Sequence, residues 1–255
     1  MEAMKAMTLP WISSPRPNPR ASVRLFCFPY AGGSAAIYRS WHEGFPQTVE
    51  VCPIQLPGRG TRFREKPFTN LTALVGEMAQ ALLPHFDRPF AFFGHSMGSL
   101  ISYELARLLR EGRAIAPCHL FVSGRSAPHL ASRNVTYNLP EDEFIAELRR
   151  LNGTPREVIE HPELMKLMIP LMRADFEMCE TYSASQGRPL DCPVTAFGGD
   201  GDEEVPREEI EAWHRHTTGP FSLHMIPGDH FFLQTSRPRL THIIARELSK
   251  GLIAG

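Results

Sequence analysis

Short, nearly continuous apolar runs alternate along this chain with stretches whose apolar residues recur every three or four positions. Val23-Arg24-Leu25-Phe26-Cys27-Phe28 is the first such run; it stops at Pro29 and is followed by Tyr30-Ala31-Gly32-Gly33. Runs of this kind suit strands buried on both faces of a parallel sheet. Residues 49–56, ended by Pro57-Gly58, read the same way, as do 90–93, 120–122, 193–197 and 222–226. Between them, Leu71, Leu74, Val75, Met78 and Leu82 mark a helix over 71–86. Further helices are predicted over 99–111, stopped by Gly112, over 207–216 and over about 239–250.

Strand and helix alternating in this way predict a mostly parallel central sheet flanked by helices. The rhythm breaks from about 139 to 182, where only helical patterns occur, interrupted at Gly153-Thr154-Pro155 and His161-Pro162. The expected organisation is one α/β domain over 22–255, with a helical insertion at about 131–186. Residues 1–21, with four prolines and no periodicity, are expected to form a loose leader, partly ordered near Trp11 and Ile12.

Composition narrows the functional classes. A length of 255 residues fits one large α/β domain. The net charge of −1 gives no global field toward nucleic acid or an acidic membrane. No apolar run approaches the roughly 18 residues of a membrane span, and the first residues carry no apolar stretch of signal-peptide length. The five cysteines are scattered, and no pair has metal-ligand spacing. Reduced thiols and a cytoplasmic location are therefore expected.

Three segments carry chemistry. Gly94-His95-Ser96-Met97-Gly98 fits G-x-S-x-G between a predicted strand and a predicted helix. The chain must reverse sharply there, and the glycines remove side chains that would clash. Ser96 would stand at a helix N-terminus, where free N–H groups favour a developing oxyanion. A serine hydroxyl needs a histidine to take its proton, and the histidine needs a carboxylate to fix its tautomer. Two later strand-end loops supply them: Phe197-Gly198-Gly199-Asp200-Gly201-Asp202 and Ile226-Pro227-Gly228-Asp229-His230-Phe231-Phe232. His230 is the candidate base among 11 histidines, since most of the others lie in predicted helices or lack a strand-end loop. For the carboxylate, Asp200 and Asp202 both qualify on position, with Glu203, Glu204 and Asp229 as further options. The oxyanion donors expected are the backbone N–H of Met97 and one from the Tyr30-Ala31-Gly32-Gly33 loop, Ala31 before Tyr30.

With these residues in place the chain resembles the type II thioesterases, stand-alone editing enzymes of polyketide and nonribosomal peptide synthesis with the α/β-hydrolase fold. The resemblance rests on Phe28-Pro29-Tyr30-Ala31-Gly32-Gly33, Leu56-Pro57-Gly58-Arg59, Gly94-His95-Ser96-Met97-Gly98, Gly198-Gly199-Asp200-Gly201-Asp202 and Gly228-Asp229-His230-Phe231-Phe232-Leu233. It implies Ser96, Asp202 and His230 as the triad, so it selects the second aspartate, and Ala31 and Met97 as backbone donors. It also implies hydrolysis of acyl groups from the phosphopantetheine arm of acyl or peptidyl carrier proteins, with no metal or redox cofactor needed. A carboxylesterase, an acyltransferase and a non-catalytic carrier-binding scaffold are the competing readings, because the fold serves all of them.

The resemblance makes the insertion a lid. Met165, Met168 and Met172 share one helix face and are candidate acyl contacts, or simply a core stripe. Residues 1–66 carry a net charge of +5 and residues 131–186 one of −4. Within the basic part, Arg59, Arg62, Arg64 and Lys66 form a candidate docking surface for an acidic carrier protein, or else a solvated loop.

Overall fold

A computed structural model describes residues 11–13, 17–130, 135–184 and 187–253. Its sheet comprises β1 (Val23–Phe28), β2 (Val49–Pro53), β3 (Phe90–His95), β4 (His119–Ser123), β5 (Val194–Gly199) and β6 (Phe221–Ile226). The order is β2-β1-β3-β4-β5-β6, and every neighbouring pair is parallel. The helices among the described residues are α1 (Leu71–Leu82), α2 (Met97–Arg113), α3 (Glu141–Leu151), α4 (Arg156–Ile159), α5 (Pro162–Glu180), α6 (Arg207–Glu211), α7 (Phe232–Thr235) and α8 (Arg237–Ile253).

The unbroken apolar runs follow from cover on both sheet faces. Successive residues of a strand point to opposite faces. Phe26, Phe28, Phe92 and Val122 pack with Met78 and Leu82 of α1 and Leu105 and Leu109 of α2. Leu25, Cys27, Phe93 and Phe121 pack on the other side with Trp41 and with Leu240 and Ile244 of α8. Helix α1 forms as its stripe predicts: Leu71, Leu74, Val75, Met78 and Leu82 are buried, and Asn70 caps it by accepting from Ala73 N–H at 2.9 Å.

Strand order positions the site. From β1 the chain goes to β2 on one side, then crosses to β3 on the other. The segments leaving β1 and β3 therefore diverge at the carboxyl ends and open a crevice between them.

Several boundaries differ from expectation: β2 ends at Pro53 and α1 at Leu82, short of residues 56 and 86. Helix α2 runs through Gly112 to Arg113 and ends where Ala114 adopts a left-handed conformation, φ 53°. The leader is held against the domain near Trp11 and Ile12. Trp11 is buried in the main core, Ile12 bridges Ile54, and Gln55 N–H donates to Trp11 O at 2.9 Å. Burial of the indole holds this stretch against the domain; residues 1–10 and 14–16 lie outside the described residues.

The insertion is helical, as expected. Helices α3, α4 and α5 share a small core of Phe144, Leu148, Ile159, Met165, Ile169 and Met172. The Arg173 guanidinium lies 4.4 Å from the Phe144 ring centre and donates to Leu139 O at 2.7 Å, tying the start of the insertion to α5. No helix among the described residues is long and apolar enough to cross a membrane.

Candidate active site

Ser96 stands between β3 and α2 with φ 51° and ψ −115°, a conformation that costs a non-glycine residue about 1–3 kcal/mol. Close packing explains the flanking glycines. A Cβ on Gly94 would lie 2.1 Å from Gly98 O, and one on Gly98 would lie 2.1 Å from Phe28 O. The elbow is tied down from below. Ser96 N–H donates to Ser123 O at 2.7 Å, and Ser123 N–H donates to Ser99 Oγ at 3.0 Å. The Ser99 hydroxyl sits 2.8 Å from Gly94 O. Met97 is the first residue of α2, so its N–H has no intrahelical acceptor.

The loops after β5 and β6 bring Asp202 and His230 together: His230 Nδ1 is 2.8 Å from Asp202 Oδ2. The Asp202 side chain has 0% exposure, and its Oδ1 accepts from the N–H groups of Glu204 (2.9 Å) and Val205 (3.2 Å). A carboxylate at Nδ1 fixes that nitrogen as the protonated one and leaves Nε2 as the basic nitrogen. The other carboxylates have separate tasks. Asp200 Oδ1 accepts from Gly228 N–H at 3.0 Å, bracing one loop on the other, and Asp229 Oδ1 accepts from Phe231 N–H at 2.8 Å.

His95 points away from the elbow tip into the protein. Its Nδ1 is 2.9 Å from Ser123 Oγ, and complete burial pushes its pKa well below the usual histidine value. It is therefore a neutral ring packed 5.3 Å, centre to centre, from His230.

Ser96, His230, Tyr30 and Ala31 line one cavity of about 240 Å³. Its walls are largely apolar, with Leu100, Leu148, Met172 and Phe176 among them. Tyr30-Ala31-Gly32-Gly33 forms a turn in which Gly33 N–H donates to Tyr30 O at 2.9 Å. Gly32 has φ +74°, the conformation that the third residue of a type II turn requires.

The lid methionines separate. Met172 borders the cavity, its sulfur occupying the space a Cβ on Gly32 would need. Met165 is buried in the small core of the insertion and Met168 packs against it, so neither lines the cavity. A stripe at three- and four-residue spacing meets the neighbouring helices first, and only its C-terminal end reaches the crevice.

The basic cluster also divides. Arg59 is 5% exposed and forms two bonds to Asp175 of α5, at 2.7 and 2.8 Å. Arg62 is 7% exposed, pairs with Glu65 and lies 4.1 Å over the Trp11 ring. Both guanidiniums are thus committed inside the protein, which corrects the expectation that they dock a partner. Arg64 and Lys66 remain exposed.

Three residues near the site gave no usable signal. Asp175 receives the Arg59 pair and also Gly32 N–H at 2.7 Å. Its only mark in sequence is a carboxylate three residues after Met172, on the face expected to be apolar. Ser99 looks like any helical serine. Arg150 of α3 bonds both Glu147 (2.7 Å) and Glu204 (3.0 Å), joining the insertion to the Asp202 loop.

The thioesterase domain model matches residues 23–250. The linear gramicidin dehydrogenase LgrE of Brevibacillus parabrevis is 47% identical over 95% of this chain and 94% of its own. The gramicidin S biosynthesis protein GrsT of Aneurinibacillus migulanus is 46% identical over 93% of each. Among solved structures, the type II thioesterase BorB from the borrelidin biosynthetic cluster superposes with a TM-score of 0.85 at 37% identity, covering 93% of this chain and 97% of that one. The chain therefore belongs to the thioesterase family, carries the α/β-hydrolase fold with type II thioesterases as its relatives, and is a hydrolase of thioester bonds.

Proposed function

We propose that Ser96, His230 and Asp202 act as a catalytic triad that releases acyl groups from the phosphopantetheine arms of acyl or peptidyl carrier proteins in a nonribosomal peptide or polyketide pathway. The observation that carries this reading is the buried Asp202–His230 bond beside a strained Ser96, with Ser96 and His230 on the same cavity.

In this reading the chemistry runs in two stages. His230 Nε2 takes the Ser96 proton as the hydroxyl oxygen attacks the thioester carbonyl carbon. The oxyanion forms against the backbone N–H groups of Met97 and Ala31. The C–S bond breaks, the thiol leaves with the proton from His230, and an acyl-enzyme remains. Water attacks that ester with His230 again as base, releasing the acid and restoring Ser96. These steps call for no metal or redox group; the phosphopantetheine belongs to the substrate. The apolar wall of Leu100, Leu148 and Phe176 suits an acyl chain. A cytoplasmic location fits carrier-protein partners and the five free thiols.

LgrE's name points to hydride transfer in that protein. A dinucleotide site at the turn after β1 would offer glycine N–H groups to a pyrophosphate. Here Gly32 N–H is already bonded to the Asp175 carboxylate, whose charge would repel one. The thioester reading is favoured.

The test is mass spectrometry of acyl-loaded carrier proteins incubated with wild type and with Ser96→Ala, beside matched oxygen esters. Wild type should unload the carrier and prefer the thioester, and Ser96→Ala should not unload it. Equal unloading by both would remove Ser96 from the chemistry.

A further inference from the structure

We infer that Asp175 and Arg59 are positioning residues for the oxyanion turn: a buried ion pair through which helix α5 of the insertion holds Ala31 in register with Ser96. The inference rests on the proposed triad and adds to it the device that sets one of its donors.

The turn is gripped from both ends of its Gly32-Gly33 segment. Asp175 Oδ2 accepts from Gly32 N–H at 2.7 Å, while Arg59 donates to Gly33 O at 3.3 Å and to Pro57 O at 3.2 Å. The two side chains meet in a bidentate pair, at 2.7 and 2.8 Å, with side-chain exposures of 6% and 1%. The Asp175 carboxylate thus accepts three charge-assisted hydrogen bonds, and Gly32 N–H has no other acceptor among the described residues. One helical turn before Asp175, Met172 presses its sulfur on the open face of Gly32.

This grip decides which N–H of the turn is left over. Gly33 N–H closes the turn on Tyr30 O, and Gly32 N–H is spent on Asp175. Ala31 N–H has no partner among the described residues, and Ala31 lines the cavity with Ser96. The Tyr30–Ala31 peptide plane carries both Tyr30 O, which accepts from Gly33 N–H, and Ala31 N–H, so planarity sets the direction of that donor, and the allowed φ and ψ of Ala31 link this plane to the Gly32 N–H that Asp175 holds. Without the carboxylate, a turn with glycine at two successive positions could reorient and swing the donor off the oxyanion position.

A purely structural role would be met as well by apolar packing. Replacing a buried pair by hydrophobic residues of similar volume is often neutral for stability, or favourable. An apolar pair gives Gly32 N–H no acceptor. That difference separates positioning from stability.

The experiment compares wild type, the double variant Asp175→Leu/Arg59→Met, Arg59→Lys and Ser96→Ala on a small acyl thioester, with thermal melts. Each is also titrated with an alkyl boronic acid, which forms a tetrahedral adduct on Ser96, and with an uncleavable thioether analogue. For the double variant the expected result is a folded protein melting no more than about 10 °C below wild type, since Gly32 N–H loses its acceptor, with a kcat lower by about 10- to 100-fold and a KM within about threefold. Boronate affinity should fall with kcat while thioether affinity holds. Wild-type kcat in the folded double variant would overturn the inference, as would equal losses for boronate and thioether. If the double variant does not fold, Arg59→Lys decides: it keeps the charge, loses the bidentate geometry and should lower kcat at constant KM, and an unchanged kcat overturns the inference. Activity surviving in Ser96→Ala would instead sink the triad itself.

Discussion

His230 Nδ1 lies 2.8 Å from Asp202 Oδ2, and that carboxylate is shut off from solvent, whereas Asp200, two residues earlier, bonds Gly228 N–H and never meets the imidazole. The spacing of the two aspartates left both open in sequence; the loop separates them into one partner for the His230 ring and one strut between loops.

The two substitutions should therefore differ in kind. Asp202→Asn puts an amide at Nδ1 and favours the wrong tautomer, so kcat should fall by about 10⁴-fold with substrate affinity nearly unchanged. Asp200→Asn keeps an oxygen for Gly228 N–H and should lower kcat less than about tenfold. Steady-state kinetics on a small acyl thioester reads both. Comparable losses from the two would mean that Asp202 has no special role.

Strain at Ser96 predicts an exchange of activity for stability. Its φ of 51° suits glycine far better than alanine. Ser96→Gly and Ser96→Ala should both be inactive, but Ser96→Gly should be the more stable by about 1 kcal/mol. Denaturant unfolding of the two proteins makes the comparison. Equal stabilities would show that the elbow relaxes once its hydroxyl is removed.

Much of the fold was legible because burial on both faces leaves uninterrupted apolar runs, as at Val23–Phe28 and Phe90–His95. The residues of the proposed triad stand out in sequence because each follows a predicted strand with glycines nearby. Pairings between distant segments were not. Nothing local in Arg59 says that its charge is buried against Asp175, 116 positions away, rather than displayed to a partner. The methionine stripe likewise gave the correct helix face without saying that only Met172 reaches the cavity.

Acid stability should depend on His119. Its ring stacks on Phe121 with centres 4.1 Å apart, and Nε2 is 2.9 Å from Thr195 Oγ1. Burial pushes its pKa from 6.5 down to about 4. Between those values the unfolded chain binds the proton and the folded one does not, so stability rises with pH across this window and falls as pH drops from about 6.5 toward 4. The loss from this residue is about 3 kcal/mol in all, with no further contribution below about pH 4. His119→Gln, which can still bond Thr195, should remove this part of the acid sensitivity. The check is chemical denaturation at pH 7 and pH 5 for both proteins. The same loss in each would assign the acid sensitivity elsewhere, with His95, held well below the usual histidine value by burial, and His216, depressed to about 4, the next candidates.

The remaining basic residues predict how a carrier protein approaches. Arg64 and Lys66 are exposed, and Phe63 beside them is 55% exposed. Their loop abuts the insertion, since a Cβ on Gly58 would touch both Pro67 and Leu171 of α5, at 3.1 and 3.2 Å. Its first arginine, Arg59, braces the turn that carries Ala31. An acidic carrier held by Arg64 and Lys66 would therefore sit beside the crevice into which its pantetheine arm must reach. Opposite charges at such a rim act mainly on encounter and are screened by salt. Arg64→Glu/Lys66→Glu should raise KM for a carrier-borne thioester by about tenfold at low ionic strength and less at high salt. For a small thioester without a carrier, kcat and KM should stay within about twofold of wild type. Arg62→Glu is a poor probe of docking, because a carboxylate there would face Glu65 and forfeit the contact over Trp11. Equal changes for carrier-borne and small substrates in the double variant would show that the two side chains serve the enzyme's own structure and leave the docking face elsewhere.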